Sequence, residues 1–159
     1  MESLSALARS EGLKIKGRLK CTLTNPDGSF EVKEYDNLVV TAGRTGIASH
    51  LTAGSPSPTT LRVNYVALGT GVTAPANGDT TLQTEVYRKA TASAANASNV
   101  ATITGYYTAA ETSGTYREAG LFMSGTGAAN SGTLLSRVAI NITKSVAQTL
   151  TIEWTITIS

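Results

Sequence analysis

The chain has 159 residues, 41% of them hydrophobic and only 15% charged, and its formal net charge is +2. That length suits one domain with its own core, finished at the surface with Thr, Ser, Asn and Gly more than with ions. So small a positive excess argues against a nucleic-acid partner, the single cysteine excludes an intrachain disulfide, and one Cys with one His cannot supply the usual zinc spacings.

The start, "MESLSALARSEG", lacks the basic n-region and long apolar h-region of an export signal, and no apolar run approaches the roughly 20 residues that span a bilayer. No membrane partner is expected. Residues 1–12 carry Leu4, Leu7 and Ala8 near helical spacing and read as a short amphipathic arm, with Leu4 and Leu7 as candidate docking residues. Residues 13–159 read as one domain.

From Leu13 the pattern alternates: Leu13, Ile15, Leu19, Cys21 and Leu23 take one face and Lys14, Lys16, Arg18 and Lys20 the other. "NPDG" at Asn25–Gly28 then turns the chain into a second extended run, making a hairpin. "TAGRTGIASHLTAG" reads as a helix that Thr41 caps and Gly54 ends. Its internal glycines cost about 1 kcal/mol each, so it needs packing on a sheet.

The remainder reads as strands: "RVNYVALG", "TEVYRKATAS", "NVATITGYYTA", "TYREAGLFMS", "TLLSRVAINIT" and "QTLTIEWTITIS". The expected fold is all-β, an antiparallel β-sandwich of jelly-roll type with one short helix.

The stretch "YVALGTGVTAPANGDTTL" contains G-x-G-x-x-A at Gly69, Gly71 and Ala74. A dinucleotide loop must open a helix whose first amides receive the pyrophosphate, and the next element of this chain is strand-like. The loop is therefore expected only to join strands, and no cofactor is expected. His50 lacks a G-x-S-x-G partner. Glu85, Glu111 and Glu118 have no spacing that brings two carboxylates together, and Glu85 with Arg88, and Arg117 with Glu118, read as surface or edge pairs. No catalytic or metal-binding residue is assigned. The basic stripe Lys14, Lys16, Arg18, Lys20 either guards an edge strand against pairing or docks on an acidic protein surface, with a phosphate backbone as the least favoured reading because no aromatic residues interleave with the charges. Tyr106, Tyr107 and Tyr116 suit cross-strand packing, with glycan stacking as the other reading.

Ordered motifs carry a resemblance. "YDNLVVTAGRTGIASHL", "NYVALGTGVTAPANGDTTLQTEVYRK", "TYREAGLFMSG", "GTLLSRVAI" and the closing "LTIEWTITIS", spread over Gly12 to Ser159, resemble a widespread group of small tailed-bacteriophage structural proteins of tail-fibre or minor virion type. The resemblance implies a non-enzymatic virion protein, assembled in the host cytoplasm, that docks as a homo-oligomer on other virion proteins. It implies a tail-associated place (fibre base, baseplate or adaptor), with a capsid decoration protein on the head exterior as one alternative and a host-glycan-binding module as another. No fibre shaft accompanies the domain, which favours an adaptor or decorating subunit. Within it Gly69 and Gly71 turn the chain and Pro75 stiffens a candidate interface loop, while Leu82 and Val86 anchor the returning chain.

Overall fold

A computed structural model describes residues 12–52 and 61–159. The alternation after Leu13 becomes strand β1 (Ile15–Thr24), with Leu19, Cys21 and Leu23 buried and Lys16, Arg18 and Lys20 exposed between them. Asp27 closes the turn by accepting the Ser29 amide on Oδ1 (2.9 Å), and Gly28 takes the positive φ of 86° that this turn requires. Strand β2 (Phe30–Val39) and helix α1 (Thr41–Thr52) come next. The later strands are β3 (Val63–Gly69), β4 (Glu85–Ala90), β5 (Ser93–Ala97), β6 (Val100–Tyr107), β7 (Gly114–Met123), β8 (Thr133–Lys144) and β9 (Thr149–Ile158).

All pairings are antiparallel, and the nine strands form one sheet in the order β4-β3-β7-β8-β2-β1-β9-β6-β5. The all-β fold with one short helix matches the sequence reading. The hydrogen bonding differs from a two-sheet sandwich or jelly roll, because β2 belongs to both halves: most of its length pairs with β1, and then Leu38 and Val39 pair with Arg137 and Ser136 of β8. Around β2 the sheet curls until its halves share a core, with Leu19, Ile103, Ile152 and Trp154 from one and Val66, Leu121, Val138 and Ile142 from the other. Gly105 lets the halves approach, since a Cβ there would stand 3.1 Å from a Val66 methyl, and the Tyr107 hydroxyl donates across to the Val66 carbonyl (3.1 Å).

The expected single strand "TEVYRKATAS" breaks instead into β4 and β5, which are the two edges of the whole sheet. Only Thr91 and Ala92 separate them, a link that spans about 10 Å at most, so the edges must meet at that corner. The sheet comes close to a closed barrel there.

The β7 half (β4-β3-β7-β8) is covered on its outer face as well. Helix α1 lies flat on β8, where Gly43 replaces a Cβ that would sit 2.6 Å from the Leu135 carbonyl, and the 70–84 loop brings in Leu82. Val40, Ala67, Leu82, Phe122 and Leu134 form this second apolar cluster, with Ala42 of the helix against it. The β1 half (β2-β1-β9-β6-β5) leaves its outer face to solvent.

Candidate functional site

The loop between β3 and β4 carries the glycines of the G-x-G-x-x-A run, and its amides do hold an anion. The anion is the protein's own Glu118, on β7. Its Oε1 accepts the amides of Gly71 (3.1 Å) and Thr84 (2.7 Å), and its Oε2 accepts the Gln83 amide (2.9 Å). Oε2 also receives Nε (2.9 Å) and Nη2 (2.8 Å) of Arg137 on β8. Glu118 is 1% exposed and Arg137 2%, so this ion pair lies out of water and both oxygens of the carboxylate are matched.

Arg137 carries the clamp across the loop. Its Nη1 meets Asp79 Oδ2 at 2.6 Å and its Nη2 donates to the Thr73 carbonyl at 2.9 Å. Burial acts to raise the Asp79 pKa, but the Ala76 amide and the Arg137 guanidinium outweigh it and hold the group below its ordinary value. The two glycines are what bring the backbone so near: a Cβ on either Gly69 or Gly71 would stand 2.5 Å from Glu118 Oε1.

This placement alters several sequence readings. Gly69 and Gly71 are buried, so they belong to the interior clamp and not to a surface that meets a neighbour; Pro75 is half-buried, and the exposed residues on either side of it include Val72, Thr73, Ala74, Ala76, Asn77 and Gly78. Leu82 anchors the returning chain as expected, whereas Val86 is exposed. Glu118 is no surface partner of Arg117. The side chains of Glu85 and Arg88 are also buried: Arg88 Nε and Nη2 bind Glu85 at 2.6 and 2.9 Å, and its guanidinium lies 4.5 Å from the Phe122 ring centroid. Arg88 Nη1 donates to the Thr126 and Ser131 carbonyls, so this pair fastens the 124–132 connection as Arg137 fastens the 70–84 loop.

A third fastening holds residues 108–113. The Lys144 ammonium, buried, donates to the carbonyls of Ala109, Glu111, Thr112 and Ser145 at 3.0–3.3 Å. Burial pushes its pKa down, and the nearby Glu111 charge works the other way. Glu111 itself receives Lys89 Nζ (2.7 Å) and the Thr108 amide (2.8 Å), which hold its carboxyl at about 2.

The basic stripe does not guard an edge. β1 is paired on both sides, with β2 and with β9, and Lys14, Lys16, Arg18 and Lys20 all project from the outer face. Acids answer them in register: Glu34 lies opposite Lys20, Asp36 opposite Arg18, and Glu153 opposite Lys20 from β9. Arg18 meets Glu34 at 3.1 Å with side chains 65% and 47% exposed. The face is thus mixed in sign, with Thr102, Thr104, Thr151, Thr155 and Thr157 completing the rows toward β6. Of the three tyrosines only Tyr106 reaches this surface; Tyr107 and Tyr116 are core residues. Leu4 and Leu7 lie outside the described residues.

Among the described residues no three His, Cys, Asp or Glu side chains gather as metal ligands, and no helix is long and apolar enough to cross a membrane. Comparison of the chain with family models, with curated proteins and with solved structures gives no significant match.

Proposed function

We propose that the chain is a non-enzymatic structural component of a tailed-bacteriophage virion, tail-associated, that works by oligomeric docking on neighbouring virion proteins. The observation that carries the reading is where the resembling motifs lie. "ALGTGVTAP", "REAGLF" and "LLSRVAI" are far apart in sequence, yet Gly71, Glu118 and Arg137 are bound to one another in a single buried clamp. A shared set of such residues marks a shared scaffold and assigns no reactive group.

What the scaffold presents outward also supports docking. The outer face of the β1 half carries threonines and charges of both signs held in register on rigid strands. Many weak, geometrically repeated polar contacts of that kind suit repetitive assembly.

Gold-labelled antibody on purified particles of the phage that encodes the chain tests the proposal, with label expected on the tail. Label on the head would favour a decoration protein, and its absence from particles would reject a structural role. Glycan recognition has less support, since Tyr107 and Tyr116 are buried and leave Tyr106 as the one exposed ring of the three.

A further inference from the structure

The outer face of the β1 half is laid out in rows across β2, β1, β9 and β6. One row is Val32, Thr22, Thr151 and Tyr106, and the next is Glu34, Lys20, Glu153 and Thr104. The third is Asp36, Arg18, Thr155 and Thr102. Below the first row Phe30 stands opposite Thr24. Phe30, Val32 and Tyr106 are 68%, 40% and 41% exposed, so large apolar side chains gather at one end of a face otherwise made of threonines and charges. That end lies toward the 25–29 turn, whereas residues 1–11 and 53–60 run into the sheet at its other end, ahead of Ile15 and of Val63.

We propose that this face is the interface of a two-fold dimer, in which a second copy of the chain lays the same face across it. The proposal rests on the oligomeric reading above and names the partner. A two-fold axis parallel to the strands and midway between β1 and β9 keeps every row at its own level and reverses its order. Lys20 then faces the partner's Glu153, and Glu153 faces the partner's Lys20. Thr22 meets the partner's Thr151, Val32 meets the partner's Tyr106, and each contact occurs twice, as an isologous interface requires. Glu34, Asp36 and Arg18 fall opposite threonines, so no charge meets its like.

Other positions of the axis fail on charge or on shape. Along β1 it would set Lys20 against its own copy, and along β9 it would do the same to Glu153, with like charges opposed. Between β1 and β2 it would press β9 against β8, whose outer face helix α1 covers. Between β9 and β6 it would leave β2, with Phe30 and Val32, facing no strand of the partner. Sheets packed face to face stand about 10 Å apart, a gap that a lysine and a glutamate reaching from opposite sides can close.

Sedimentation velocity of the purified full chain tests this. A dimer is expected, and a monomer or an odd-numbered oligomer overturns the proposal. Lys20→Glu alone and Glu153→Lys alone each oppose like charges across the axis, and each is expected as a monomer with the circular dichroism of the parent. Mixed in equal amounts, the two variants are expected to form a heterodimer, because their reversed charges again oppose unlike ones. A dimer that survives either single reversal, or a mixture that stays monomeric, overturns the proposal. Tyr106→Glu gives an independent reading should a reversal fail to fold: loss of the dimer is expected, and a dimer that persists overturns the proposal. The particle labelling is separate, since label on the tail with a monomeric chain rejects only the dimer, and a dimer absent from particles rejects only the virion role.

Discussion

The two halves of the sheet share one core but solve different problems outside it. The β1 half turns corners tightly, through residues 25–29 and 145–148, and shows its outer face to water. The β7 half is roofed by helix α1 and by the long 70–84 loop, and it is there that the buried ionic groups Glu118, Arg137, Glu85, Arg88 and Lys144 are found. A loop laid over an apolar sheet buries amides and carbonyls that strand pairing does not satisfy. The charged side chains are the answer to that cost: Glu118 takes amides, Lys144 and Arg88 take carbonyls, and Arg137 ties a carboxylate to both. Charge inside the protein results from covering a sheet with irregular backbone.

The contrast breaks first at Glu118. Glu118→Ala leaves Arg137 buried with only Asp79 as a charged partner and strips the loop amides, and it is expected to cost about 3–5 kcal/mol in urea unfolding. The lone tryptophan, Trp154, buried in the shared core, reports that transition by fluorescence. Glu118→Gln, which keeps an acceptor, is expected to lose less. Gly71→Ala tests the loop side of the same clamp: its Cβ would stand 2.5 Å from both Glu118 Oε1 and Gln83 Cβ, and about 1–3 kcal/mol should be lost by the same assay.

Acid sharpens the comparison at the third fastening. The Glu111 carboxyl is held at about 2 against an ordinary 4.5, chiefly by Lys89, so its contribution is complete above pH 4.5 and is lost as pH falls from there toward 2. Glu111→Gln should lower the unfolding midpoint at pH 7 and flatten its pH dependence across that window; a variant as acid-sensitive as the parent would exclude the assignment. The smallest effect belongs to the open half. Arg18→Ala removes an exposed pair and should change stability by no more than about 0.5 kcal/mol, and a loss above about 1 kcal/mol would show that the outer face of β1 is more constrained than its exposure implies.

The same division governs how legible the molecule is from its sequence. The β1 half is legible because one wet face gives strict alternation, as in Leu150, Ile152, Trp154 and Ile156. The roofed half is legible as strands but not as a site. A strand buried on both faces becomes a nearly continuous apolar run, and Glu118 heads one such run, "EAGLFM", while Arg137 interrupts another, "LLSRVAI". That position, more than any spacing, is the available signal of burial, whereas adjacency suggests Arg117 as the partner of Glu118. β5 escapes sequence reading for another reason: Ser, Ala and Asn have little strand preference, and the segment is a strand only because β6 pairs with it. The central place of β1 is equally out of reach, since its partner β9 lies at the other end of the described chain.

That last pairing bears on how the protein is made. Ile15 stands beside Ile158, so β1 cannot be flanked on both sides until nearly the whole described chain has left the ribosome. Contacts of such long sequence separation are slow to form, and a growing chain carries an open, β-prone edge throughout its synthesis. The lysines and arginine of β1 then have a use before the native state exists, as like charges that keep nascent chains from pairing with one another.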